Sequence, residues 1–131
     1  MKFPYGVSKL TNRITGTPVV MYKVKAKRTG KLSTQDLVKQ IAEISTLSSI
    51  DVLACIEALQ KTILYNAQQG KIVHLDGFGS FKINIVSKAQ TELEKALPET
   101  IQGYRLVFTP LKTTRKSLQQ TEVKKSEHSQ F

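Results

Sequence analysis

The segment from Ser48 to Gly70 constrains this chain most. Ser48 and Asp51, three apart, form a capping box, in which two side chains satisfy the free amides of a helix start. Val52, Leu53, Ile56, Leu59, Ile63 and Leu64 then recur at helical spacing, and Gly70 supplies a left-handed stop. The reading is a helix over 49–69, about 31 Å long at 1.5 Å per residue. Ala54, Cys55, Ala58 and Ala67 widen its apolar stripe, so the helix faces more than one neighbour. One short helix and a small sheet cannot cover it, which points to a second chain. Cys55 reads as a small core residue of that helix, not as a nucleophile.

A shorter helix precedes it. Ser33 and Asp36 make another capping box, followed by Leu37, Val38, Ile41, Ala42 and Ile44. After Gly70 the period falls to two. Residues 71–86 read as a β-hairpin through Asp76-Gly77-Phe78-Gly79, with Phe81, Ile83 and Ile85 on its return. A polar segment over 87–103 holds a helical hint at Thr91–Leu97. A third strand follows, with Tyr104, Leu106 and Phe108 on one face and Arg105, Val107 and Thr109 on the other. Thr109-Pro110 suits a cap and first position for a last helix over 110–121. Residues 122–131 read as a polar, frayed tail.

Charge separates the ends from the middle. The chain has 131 residues and a formal charge of +10, and residues 1–31 hold eight bases and no acid. In that stretch Val20, Tyr22, Val24 and Ala26 alternate with Met21, Lys23, Lys25 and Lys27, giving an apolar face and a lysine face. Phe3–Leu10 is a candidate hairpin partner through Asn12–Pro18. A basic flank on a near-neutral core suggests a polyanion, nucleic acid before anionic membrane. A membrane-surface role needs a basic amphipathic helix, and this stretch is a strand. The expected organisation is a β-extension over 1–31, a domain over 32–121 and a tail over 122–131.

Enzymatic chemistry finds no support. His74 stands in a strand away from any sequence-local Cys or acid cluster, and His128 is in the tail, so no metal site is expected. Gly77-Phe78-Gly79 lacks the Lys-Ser/Thr of a phosphate loop and sits in a hairpin. Glu92 and Glu94 lie in a polar connector with no apolar pocket to raise a pKa. No cofactor, small-molecule substrate or membrane span is expected. A lone cysteine fits a reducing, cytoplasmic compartment.

Two capped helices, then KIVHLDGFGSFKI, then YRLVFTPLKTTRKSL, together resemble the HU and integration host factor family of bacterial histone-like proteins. The most specific piece is Gly77-Phe78-Gly79-Ser80-Phe81. The match covers about 33–121, and the basic N-terminal strand pair is most similar to the divergent HU-related branch of Bacteroidetes. The resemblance implies an α+β fold with two N-terminal helices, a three-stranded antiparallel sheet and a C-terminal helix, here with an added β-extension, in an intertwined homodimer. It also implies arms that bend double-stranded DNA in the nucleoid by wedging apolar residues between base steps. The arm segment here, Ser87–Gly103, departs from the family. It lacks the Arg-Asn-Pro motif and carries Lys88 and Lys95 against Glu92, Glu94 and Glu99, a poor grip on phosphate.

The expected DNA contacts are Lys23, Lys25, Lys27, Arg28 and Lys31 on the extension, Lys82 and Arg105 on the strands, and Lys112, Arg115 and Lys116 on the last helix. The expected dimer core is Ile41, Val52, Leu53, Ile56, Leu59, Ile63, Phe78 and Phe81. Contacts of this kind position a protein on the DNA backbone and carry little sequence information. The rivals are an interaction module that has lost DNA and binds protein partners, and a single-stranded nucleic-acid binder, which needs exposed aromatics on a basic sheet.

Overall fold

The computed structural model describes residues 2–13 and 16–126. The chain forms two compact units, one from Met1–Leu37 with Leu118–Phe131 and one from Val38–Ser117.

In the first unit, β1 (Phe3–Asn12) pairs antiparallel with β2 (Val19–Ala26), Tyr5 opposite Ala26 and Asn12 opposite Val19. Strand β6 (Val123–Lys125) pairs parallel with the other side of β1, giving the order β2-β1-β6. The Phe3 N–H donates to the Glu122 carbonyl and the Ser126 N–H to the Tyr5 carbonyl, 2.6 and 2.9 Å. This unit also holds the start of α1 (Thr34–Ile44). The Ser33 N–H and hydroxyl both donate to Asp36 Oδ2 at 2.9 Å, and the Asp36 N–H donates back to Ser33 Oγ at 3.3 Å. These bonds favour the carboxylate and hold the Asp36 pKa below its usual value, the backbone bond contributing most.

The second unit carries α2 (Ser49–Gln68), β3 (Val73–Leu75), β4 (Gly79–Ser87), β5 (Ile101–Pro110) and the first turns of α3 (Lys112–Gln119). Ser48 caps α2 by accepting the Asp51 N–H at 3.2 Å. The sheet has the order β3-β4-β5, antiparallel throughout. Its register stacks three apolar pairs on one face, Phe81 with Phe108, Ile83 with Leu106 and Ile85 with Tyr104. At the β3–β4 turn the Phe78 N–H donates to the Leu75 carbonyl at 3.0 Å, and Gly77 takes φ +80° at the third position. Phe108 packs against Phe78 and Phe81, with ring centroids 4.7 and 5.0 Å away.

The expected layout of two helices, one three-stranded sheet, a C-terminal helix and an added extension is therefore corrected. Among the described residues the chain is α+β with three α-helices and two separate three-stranded sheets. Val123–Lys125, within the stretch read as a frayed tail, forms the third strand of the first sheet. Three residues are too few for alternation to register, and what recruits them is the row of unpaired backbone groups on the outer edge of β1. The last helix also begins later than expected. Pro110 closes β5 opposite Gly79, at a strand end where its missing N–H costs no ladder bond. Leu111 then opens α3, its carbonyl accepting the Arg115 N–H at 2.8 Å.

Candidate nucleic-acid interface

The Asp76–Gly79 turn positions the basic helix. The Phe78 carbonyl accepts the Leu111 N–H at 3.0 Å and the Thr114 hydroxyl at 2.8 Å. Two bonds to one carbonyl fix where α3 leaves the sheet, and with it Lys112 and Arg115. Below them lies the polar face of the sheet, opposite the phenylalanine face. There the register aligns His74 with Ser80, Ser80 with Thr109, Lys82 with Val107 and Asn84 with Arg105. His74, Ser80, Thr109, Lys112 and Arg115 line a concavity of about 480 Å³. Lys82 is two residues beyond Ser80 on the same face, about 7 Å along the strand, with Arg105 diagonal to it.

Four expected contacts, Lys82, Arg105, Lys112 and Arg115, are thus gathered on one side of the second unit. Lys116 lies exposed, one turn further along α3. Among the described residues the ion pair within 4.0 Å is Lys95 with Glu92, at 3.6 Å on the surface. None of the four gathered cations is neutralised by a carboxylate within that distance. Such a cluster repels itself and favours an anion, and its hydroxyls and Asn84 amide add neutral donors around it. Among the described residues no three His, Cys, Asp or Glu side chains could together hold a metal ion, and no helix is long and apolar enough to cross a membrane. His128 lies outside the described residues.

The remaining expected contacts are in the first unit. Lys23 and Lys25 are on β2, Lys27 and Arg28 follow its end, and Lys31 lies exposed before α1. Ser80, Thr109, Thr114 and Lys124 are not among the contacts the sequence predicts. Alternation places Ser80 and Thr109 on the polar face, but nothing in the sequence ties Thr114 to the turn 36 residues earlier.

The expected dimer core is unevenly covered. Val52 and Ile63 are buried, Leu53, Ile56 and Phe81 are half-buried, and Ile41, Leu59 and Phe78 stay exposed at 36%, 44% and 49%. Cys55 is exposed. Beyond the phenylalanines, Leu64, Ala67, Ile83, Ile85, Tyr104 and Leu106 border an open, mainly apolar groove of about 590 Å³, with Arg105 also on its lining. The β4–β5 connection keeps Leu93 on the surface, 91% exposed, between Glu92 and Glu94.

No curated protein matches the chain by sequence. A solved structure of a protein from Bacteroides vulgatus, provisionally described as a bacterial DNA-binding protein, superposes with a TM-score of 0.62 at 12% identity. The superposition covers 100% of this chain and 52% of that one, so the chain spans about half its length. A family model described as an HU domain fused to a winged helix-turn-helix, immunoglobulin or glycine-rich motif matches residues 1–125. With nearly its whole length matched, the chain belongs to this family of fused HU domains.

Proposed function

We propose that this protein is a non-enzymatic, histone-like DNA-binding protein that contacts the duplex backbone with little sequence preference. The observation that carries this reading is a run of un-neutralised cations on the second unit: Lys112 and Arg115 line a concavity with Ser80 and Thr109, and Lys82 and Arg105 continue along the same sheet face. Arginine and lysine at this density suit phosphate oxygens, and the hydroxyls add contacts that are equally blind to sequence. Family membership and the name given to the Bacteroides vulgatus protein point the same way. The basic strand pair supports a place in the divergent Bacteroidetes branch, and a nucleoid location follows from the function.

The protein acts as a homodimer in this reading. In the second unit Leu59 and Leu64 of α2, and Ile85, Tyr104 and Leu106 of the sheet, are all exposed in the single chain. Apolar surface of this extent gains about 25 cal/mol per Å² when a second copy covers it.

Gripping by the β4–β5 connection is not part of the proposal, because its three glutamates oppose phosphate. The exposed Leu93 between two of them favours a second reading in which this connection docks on a protein partner. Binding to two unrelated 30-base-pair duplexes at low salt tests the proposal. Affinities within about threefold of each other support backbone binding. A preference of a hundredfold, or no binding to either, overturns it.

A further inference from the structure

We propose that the first unit carries a second duplex-backbone surface, completed by Lys124 from the other end of the chain, so that the protein holds two DNA segments at once. The inference rests on the DNA-binding reading and concerns a separate sheet. In β2-β1-β6 the central strand turns Pro4, Gly6 and Ser8 to one face. Lys25 stands beside Gly6 and Lys23 beside Ser8. The Lys27 N–H donates to the Pro4 carbonyl at 3.1 Å, extending the ladder by one residue, and Lys124 stands beside Pro4 on its other side.

The result is a trough. One wall is Lys23 and Lys25 of β2 with Lys27 just past its end, the other is the single Lys124 of β6 about 10 Å away across the sheet, and the floor is built of small residues. At one end Lys2, Lys27 and Arg28 line an adjoining concavity of about 380 Å³. Lys23, Lys25 and Lys27 repeat every second residue, about 7 Å, a spacing comparable to that of successive phosphates on one strand. No carboxylate lies within 4.0 Å of these cations among the described residues. The Ser8 hydroxyl is covered and has no hydrogen-bond partner among the described residues, an unmet polar group in the floor. Phe3, Tyr5 and Tyr22 fall on the opposite face by alternation. The lysine face has no aromatic platform on which unpaired bases could stack, so its chemistry suits a duplex and not a single strand.

The test is capture of a fluorescent duplex by a second duplex fixed to beads, with the full-length protein between them. The variants are Lys23→Gln, Lys25→Gln, Lys27→Gln and Lys124→Gln combined, and the same four positions changed to Arg. The parent and the Arg variant are expected to capture the second duplex, and the Gln variant to bind one duplex yet capture at least fivefold less of the second. Independently of any variant, saturating DNA should protect Lys23, Lys25, Lys27 and Lys124 of the parent from acetylation. Equal capture by the Gln variant, absence of that protection, or a parent that binds one duplex and captures no second would overturn the inference. Preferential capture of single strands would replace the duplex with another ligand. A parent that binds no duplex at all refutes the DNA reading itself, a distinguishable failure.

Discussion

Substituting Gly79 by alanine tests the turn that aims the basic helix. A Cβ built at Gly79 would lie 2.5 Å from Cε2 of Phe108, 2.7 Å from its Cζ and 2.5 Å from the Thr109 carbonyl oxygen. Ordinary contact needs about 1 Å more. The phenyl ring has little room to yield, since it packs against both Phe78 and Phe81, and the carbonyl belongs to the adjoining strand. Overpacking of this kind costs typically about 1–3 kcal/mol. Gly77 is a control of different origin. Its φ is +80° but a Cβ there meets nothing within 4 Å, so Gly77→Ala adds only left-handed strain, about 1–2 kcal/mol. Urea denaturation of Gly79→Ala, Gly77→Ala and both in a Phe108→Leu background separates the two causes. The smaller side chain should recover part of the Gly79 loss and none of the Gly77 loss. A Gly79→Ala protein as stable as the parent would refute the packing argument, and a Phe108→Leu background that rescues Gly77→Ala would refute the separation.

Three further outcomes follow from the same geometry. Ile56→Asp or Leu59→Asp places a charge on the apolar stripe of α2, so sedimentation should show loss of the dimer and circular dichroism loss of the fold; a folded dimeric variant would contradict this. Thr114→Val removes the hydroxyl bond to the Phe78 carbonyl and should cost about 1 kcal/mol in urea denaturation while weakening duplex binding, because α3 loses one of its two ties to the turn. The Asp36 pKa is depressed in the folded chain, so its capping contribution is present above the unfolded value and lost as pH falls through the folded one. Asp36→Asn should therefore flatten the acid limb of stability below about pH 4, and an unchanged limb would show that the capping bonds contribute nothing.

The sequence carried the helix starts well, because capping is local. Ser33 with Asp36 and Ser48 with Asp51 each meet within one turn, so the residues that decide the structure are three positions apart. The polar face of the hairpin was legible for a similar reason, since alternation alone puts His74, Ser80 and Lys82 on one side. What escaped was set by contacts across the chain. Strand β6 exists because β1 has an open edge, and no feature of Val123–Lys125 by itself announces a strand. Lys124 was hidden for the same reason, and with it one wall of the trough. Thr109-Pro110 misled because a cap signature and a strand end use the same residues, and pairing of Pro110 with Gly79 decided between them. The covered and uncovered halves of the α2 stripe could not be told apart either, since each apolar position fits both a neighbour in the chain and a second copy.

The most direct test of DNA-backbone binding is the salt dependence of duplex affinity for the parent and for Lys82→Gln, Arg105→Gln, Lys112→Gln and Arg115→Gln combined. Each neutralised phosphate contributes about 0.9 to the slope of log K against log salt, so losing four contacts should flatten the slope by about 3 to 4 units. Affinity should fall by a similar factor on every duplex sequence. A variant that keeps the parent's slope and affinity would contradict the account, because the basic face of the second unit would then not be where this protein meets DNA.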